Sequence, residues 1–160
     1  MTSLKKRYEA LLKEAGKAKI MVVSKYATVE QMQEAYDLGV RDFGESRLQE
    51  ALRKQKVLPQ DIIWHFIGPI QSNKAAAIAA AFSYVHSVSS TKVAKILSES
   101  SLKRGTRCKC FIEVNISKEP SKKGFFEEDF LKEEKTLQEF KGLDIQGLMA
   151  IGPHTEDKAK

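Results

Sequence analysis

The chain has 160 residues and a formal net charge of +6 at pH 7, and 42% of its residues are hydrophobic and 30% charged. This composition excludes a disordered chain, and the length predicts one domain over residues 1–160. No stretch reaches the roughly 18 consecutive apolar residues that cross a bilayer, so we expect no membrane span and a cytoplasmic protein.

The basic charge is a weak indication of a nucleic-acid partner. Lysines stand among glutamates, as in LKEEKTLQEFK at residues 131–141, and no basic run is interleaved with aromatic residues. A single-strand binder needs that interleaving, so we expect no nucleic acid as partner.

The only cysteines, Cys108 and Cys110, form a C-x-C on a predicted strand. Period two puts both side chains on the same face of that strand. Without a second cysteine pair or a nearby histidine this is a poor metal site, so we predict buried thiols and no metal.

The first elements are a helix, a strand and a second helix. The segment LKKRYEALLKEAG at residues 4–16 has apolar residues at helical spacing, and KIMVV at 19–23 is a continuous apolar run typical of a strand covered on both faces. The segment VEQMQEAYDLG at 29–39 is a second helix, which Thr28 caps together with Gln31.

Strand and helix patterns then alternate to the end of the chain. The further predicted strands are VRDFG, IIWHFIG, FSYVHSV, CKCFIEVNIS and IQGLMAI. The helices between them are ESRLQEALRKQKVL, NKAAAIAAAF, STKVAKILSESSLKRG and FEEDFLKEEKTLQEFKG. Strict alternation predicts an α/β fold with a parallel sheet, either doubly wound or closed as a (β/α) barrel. The first strand is not followed by G-x-G-x-x-G, which excludes the dinucleotide-binding version of the first option.

Polar residues follow the predicted strands. In a parallel barrel the carboxyl ends of all strands face one rim, where the chemistry takes place. The residues expected near that rim are Lys25, Glu45, Ser46, His65, Gln71, Ser72, Asn73, His86, Ser87, Asn115, Ser117 and Met149.

Lys25 is unusual because it comes directly after a predicted buried strand. Lysine is among the residues least often buried. Lys25 is therefore either a strand-end residue whose long aliphatic side chain carries the amine to solvent, or an amine that has a chemical role at this position.

Several motifs resemble one known family. They are VVSKYAT, FGESRLQEA, WHFIGPIQSNK, VHSV, EVNIS, SKKG and GLMAIGP, in that order. They resemble the pyridoxal 5'-phosphate (PLP) homeostasis protein family from about residue 17 to residue 153. The resemblance implies a (β/α) TIM-barrel fold of the alanine racemase N-terminal type and a protein that holds PLP for intracellular homeostasis without catalytic turnover. It also implies a Schiff base between PLP and Lys25, whose amine we expect to be partly desolvated and therefore to have a lowered pKa.

The same resemblance implies further cofactor-binding residues. Ser46 stands where the family motif F-G-E-N has asparagine, and it offers a shorter reach and a single donor. His65 is expected either near the cofactor or bonded to a backbone group at the strand end. Asn115 and Met149 match positions at the barrel mouth. No residue is assigned a catalytic role.

The length departs from the family pattern, since about six of eight strand-helix units fit in 160 residues. The family's phosphate-binding motifs in the last units have no counterpart here, so we expect a fragment or a truncated form that binds PLP weakly if it folds alone. Exposed sheet edges would then favour self-association. The expected partners are PLP and PLP-dependent apo-enzymes.

Two other functions stay open at this point. The first is a PLP-dependent amino-acid enzyme of the alanine racemase type, which needs a second acid/base group. Tyr26 is next to Lys25 but is expected on the opposite face of the strand. The second is a structural or nucleic-acid-binding protein, which only the basic charge favours.

Overall fold

The computed structural model describes residues 3–117 and 123–152. The chain divides into two compact units, Met1–Ile67 and Gly68–Lys160. That residues 1–160 form a single domain stays a prediction.

The first unit alternates helices and strands. Its elements are α1 (Ser3–Ala15), β1 (Val22–Val23), α2 (Val29–Asp37), β2 (Asp42–Glu45), α3 (Leu48–Gln55) and β3 (Ile63–Phe66). Strand β2 pairs in parallel with β1 and with β3. The capping box predicted for α2 is confirmed, because Thr28 Oγ1 accepts from the Gln31 amide and the Gln31 side chain accepts from the Thr28 amide.

The second unit continues the alternation. Its elements are α4 (Ser72–Ala81), β4 (Tyr84–Val88), α5 (Thr91–Lys103), β5 (Cys108–Glu113), α6 (Glu127–Glu139) and β6 (Leu143–Met149). Strand β5 pairs in parallel with β4 and with β6. Gly142 lets α5 approach the start of β6, since a Cβ there would collide with the backbone of Ser98, while the Gly142 amide donates to Ser98 Oγ at 3.0 Å.

Several predicted element boundaries differ from the structure by a few residues, and the difference at Glu45 bears on the candidate site. Glu45, expected at the start of a helix, is the last residue of β2, and α3 begins only at Leu48. Glu45 is fully buried and has ionic and hydrogen-bonding partners, described below, that make this position tolerable for a carboxylate.

A buried polar contact links strands β2 and β3. His65 Nε2 and Asp42 Oδ1 lie 2.8 Å apart, both side chains are buried, and Lys19 Nζ lies 2.7 Å from the same carboxylate oxygen. Burial lowers the pKa of His65, and the hydrogen bond and charge of Asp42 only partly offset that effect.

The described helices include none long and apolar enough to span a bilayer, and no cluster of metal-ligating side chains is found in the same part of the chain.

The predicted burial of the two thiols is confirmed. Along β5, Cys108 and Cys110 are buried whereas Lys109 between them is exposed, as period two requires. Burial raises the pKa of the Cys108 thiol to about 11 and that of the Cys110 thiol to about 12. Both side chains are free cysteines.

We expect both thiols to be unreactive in the folded chain. The thiolate is the nucleophile, and burial both removes the thiolate and excludes the reagent. At about pH 8, an aromatic disulfide reagent should react roughly a hundredfold more slowly with the native chain than with the chain in denaturant. Equal rates in the two conditions would contradict the buried geometry of β5.

We also expect His65 to make stability fall on acidification. The unfolded chain binds a proton near the ordinary histidine pKa of about 6.5, whereas native His65 binds one only at lower pH, so the unfolded state holds more protons in that window. The free energy of unfolding should therefore decrease as pH falls below about 6.5, measured by urea titration. His65→Gln should show a flatter pH dependence, and an unchanged slope would refute the assignment.

Candidate functional site

Lys25 lies in a turn directly after β1. The Ser24 amide donates to the Gly44 carbonyl at 2.9 Å, which extends the pairing of β1 with β2 by one residue. The Ala27 amide then donates to the Ser24 carbonyl at 2.9 Å and closes a turn around Lys25 and Tyr26. The chain thus leaves the sheet at a fixed point, Ser24, and presents Lys25 immediately beyond it.

The Lys25 side chain is exposed, so the desolvation expected from the sequence is wrong for this structure. The reason is that β1 ends at Val23 and Lys25 extends from a turn rather than from a strand. Its Nζ lies 5.3 Å from the centroid of the Tyr26 ring. The two side chains are therefore neighbours, and the expectation that Tyr26 points to the opposite face is also wrong. In the part of the chain that the structure describes, the amine has no hydrogen bond or ion pair with a protein group.

A buried polar cluster fixes Ser24. We call Ser24, Glu45 and Lys54 the Ser24 cluster. Ser24 Oγ donates to Glu45 Oε1 at 2.8 Å, Lys54 Nζ lies 2.7 Å from the same oxygen, and Lys54 Nζ also donates to the Ser24 carbonyl at 2.8 Å. Ser24 and Glu45 are fully buried and Lys54 is 8% exposed.

The local sequence explains how these three residues meet. Val23 pairs with Gly44, so Ser24 and Glu45 follow side by side at the ends of two adjacent strands. Helix α3 then returns along the strands and buries Leu48, Ala51 and Lys54, which follow one another at three-residue spacing on one face. That three-residue spacing is the signal in the sequence for a buried lysine, and Lys54 was not among the predicted site residues.

The cluster holds one positive and one negative charge, but one carboxylate oxygen of Glu45 is not hydrogen-bonded within the described residues. This oxygen, Oε2, is buried. Removing one member of a buried ion pair costs about 3–5 kcal/mol because the other charge is left unpaired, whereas the intact pair adds little net stability. The cluster therefore contributes a defined geometry at Ser24 more than it contributes free energy.

Two other predicted site residues lie in the same unit as Lys25. Ser46 directly follows Glu45, is half-buried, and has no hydrogen-bond partner among the residues described. His65 Nε2 is paired with the carboxylate of Asp42, a partner that was not predicted from the sequence. The register Val23↔Gly44 and Gly44↔His65 puts His65 on the sheet face opposite to Glu45.

The remaining predicted site residues lie in the second unit, at the carboxyl ends of β5 and β6. Asn115 is buried, its amide donates to the Phe125 carbonyl at 2.8 Å, and its Oδ1 accepts from Ser117 Oγ at 3.2 Å. Met149 is half-buried and pairs in register with Glu113, whose pKa burial raises. The structure thus brings Asn115 and Met149 close to each other within this unit.

The arrangement in the first unit has a definite chemical capacity. A primary amine that is accessible to solvent can attack a carbonyl compound when it is deprotonated. The backbone from which this amine extends is held by hydrogen bonds on several sides, which limits the positions that the amine can occupy.

Comparison with known proteins gives a family for this chain. The family described as alanine racemase, N-terminal domain, matches residues 1–160. The pyridoxal phosphate homeostasis protein of Pseudomonas aeruginosa is 42% identical over 141 residues, which cover 88% of this chain and 61% of that protein. The protein of the same name from Buchnera aphidicola is 33% identical over 161 residues, covering 97% of this chain and 70% of that protein.

Solved structures agree with this relationship. PipY of Synechococcus elongatus without PLP superposes with a TM-score of 0.92 at 32% identity, covering 98% of this chain and 74% of that chain. PipY with PLP bound gives a TM-score of 0.87 at 32% identity, covering 96% and 72%. Alanine racemase from Bartonella henselae gives a TM-score of 0.76 at 16% identity, covering 92% and 42%, which shows likeness of fold alone.

These likenesses confirm the predicted α/β fold of the alanine racemase N-terminal type, whose six strand-helix units occur in the described residues. The chain spans 61% of the length of the Pseudomonas relative. It belongs to the alanine racemase N-terminal domain family and, within that family, to the pyridoxal phosphate homeostasis proteins.

Proposed function

We propose that this chain binds PLP through a Schiff base with Lys25 and serves PLP homeostasis as a carrier, without catalytic turnover. The observation that carries the proposal is an exposed primary amine placed directly after a fixed strand end. The names of the relatives and the PLP-bound PipY structure support PLP as the ligand.

The donor chemistry of the site fits this ligand. PLP supplies an aldehyde that condenses reversibly with an amine and releases water. Lys25 contributes the amine, which is accessible and is not engaged by an acid of the described residues. The Ser24 carbonyl holds the turn from which the amine extends. A carrier needs a reversible bond of this kind, since it must both hold and release its cargo.

We assign supporting contacts to four further residues. Ser46 offers a half-buried hydroxyl for a hydrogen bond to the ligand, and His65 is oriented by Asp42 so that its ring can line the site. Asn115 and Met149, at the ends of β5 and β6 in the second unit, are assigned a polar and an apolar ligand contact on the family resemblance alone. We further propose that the protein works in the cytoplasm and passes PLP to PLP-dependent apo-enzymes.

A second candidate function is amino-acid chemistry of the alanine racemase type. The observation that favours it is the position of the Lys25 amine over the Tyr26 ring, since that reaction needs an acid/base group on each side of the substrate. Tyr26 is 83% exposed, so it lies outside a water-excluded site of the kind that such chemistry uses.

Labelling of Lys25 tests the carrier proposal. Purified chain is mixed with PLP and reduced with borohydride, and the modified lysines are mapped by mass spectrometry. We expect most of the label on Lys25 and on the order of tenfold less total label in Lys25→Ala, because a positioned amine reacts faster than scattered ones. Lys17→Ala, which removes another exposed lysine of the first unit, is the matched control and should label as the wild type does. Label spread over many lysines and unchanged in Lys25→Ala would sink the proposal.

A racemisation assay separates the two candidates. The chain with PLP is incubated with L-alanine and the D-isomer is measured against Lys25→Ala as background. A carrier gives no D-alanine above that background. Turnover that requires Lys25 and is lost in Tyr26→Phe would instead establish the enzyme.

A further inference from the structure

The carbonyl of Ser24 is the point where the sheet ends and the Lys25 turn begins. It accepts two hydrogen bonds, from the Ala27 amide at 2.9 Å and from Lys54 Nζ at 2.8 Å. The first bond belongs to the turn itself. The second comes from the side chain of a different element, α3, and ties the turn to the body of the first unit.

The other polar groups of Ser24 are held as well. Its amide donates to the Gly44 carbonyl at 2.9 Å, and its Oγ lies 2.8 Å from Glu45 Oε1 and 3.3 Å from the Gly44 carbonyl oxygen. Every polar atom of this fully buried residue therefore has a partner. Since Lys25 is bonded directly to the Ser24 carbonyl carbon, the position of its backbone nitrogen is fixed, and its amine moves by rotation about the bonds of Lys25 itself.

Glu45 keeps Lys54 in place for this contact. An ammonium with a side chain only 10% exposed needs a counter-charge, and Glu45 Oε1 supplies it at 2.7 Å. An ion pair that only attached α3 to the strands would not need the third contact, from the ammonium to the Ser24 carbonyl. That contact reaches past Glu45 to the residue that precedes Lys25.

We propose that Lys54, held by Glu45, is a positioning residue that sets where the Lys25 amine meets its aldehyde ligand. The inference rests on the proposed function, because it assumes that Lys25 carries PLP. It adds that the affinity and site selectivity for PLP depend on Lys54. This buried lysine lies on the sheet face opposite to His65 and does not touch the ligand.

The test uses a charge-balanced double variant, Lys54→Met with Glu45→Gln. Lys54→Met alone would leave the Glu45 charge buried and unpaired, and that charge by itself strongly destabilises the fold. Gln at position 45 can still accept from Ser24 Oγ, so the double variant chiefly loses the contact of Lys54 with the Ser24 carbonyl. If it fails to fold, Lys54→Met with Glu45→Met replaces it, since an apolar pair of similar volume is often tolerated where an ion pair was buried.

Two controls separate positioning from general stability. Leu58→Ala removes a buried side chain of the first unit outside the Ser24 cluster and should lower stability while the side chains of the cluster keep their partners. The amide of position 58, which donates to the Lys54 carbonyl at 3.0 Å, is retained in this variant. Propionaldehyde, which has no phosphate or ring to orient, reports the intrinsic reactivity of the Lys25 amine in each variant. All measurements are made on chains shown to be folded by urea titration.

We expect the double variant to bind PLP on the order of tenfold more weakly and to lose the preference for Lys25 among the labelled lysines, since misplacement of a reacting group has effects of at least that size. Its reaction with propionaldehyde at Lys25 should stay within about twofold of the wild type, and folded Leu58→Ala should bind PLP normally. Unchanged PLP affinity in the double variant, or an equal loss in Leu58→Ala, would overturn the inference. Absence of Lys25 labelling in the wild type would instead overturn the proposed function itself.

Discussion

The hydrogen bond from Lys54 Nζ to the Ser24 carbonyl is the contact on which the proposed Lys25 site depends. It joins the end of β1 to α3, and through Glu45 it also joins the end of β2. A buried ammonium and a buried carboxylate are costly to keep in a protein interior, and their attraction roughly offsets that cost. The net result is a strand end with a defined geometry, directly before Lys25, the residue that we propose to bind PLP.

Parallel pairing is what brings this arrangement about. In parallel strands the carboxyl ends lie at the same edge, and each strand continues into a turn and a helix there. In the first unit this places Ser24 beside Glu45, and the following helix returns with Lys54. In the second unit the same rule places Asn115 and Met149 close to each other at the ends of β5 and β6. Exposed Lys25 and the buried cluster are thus two consequences of one topology.

Much of the fold was predictable because hydrophobic periodicity and capping act locally. The capping box of α2 and the alternate burial of Cys108, Lys109 and Cys110 were both read from the sequence and are confirmed. Local patterns say less about where side chains point beyond a strand end. β1 ends at Val23, as the apolar run KIMVV predicts, but the turn that follows makes Lys25 and Tyr26 neighbours, and this turn made the expectations for both residues wrong.

The polar cluster could not be predicted for a different reason. The local sequence around a lysine or glutamate does not show that its counter-charge lies on another element. Lys54 and Glu45 therefore have the pattern of surface residues of a helix, and their pairing follows only from the pairing of the strands. Similarly, His65 was predicted as a site residue, but its partner Asp42 belongs to a neighbouring strand and emerges only from the register. Long-range pairing of charges is set by tertiary structure and not by local pattern.

The most direct test of this account is a crystal structure of the chain with PLP. The account predicts continuous density between PLP and Lys25 Nζ, with the Ser24 carbonyl still bonded to Lys54 and Ser24 Oγ to Glu45. PLP attached to another lysine, or attached to Lys25 with Ser24 released from Lys54, would contradict it.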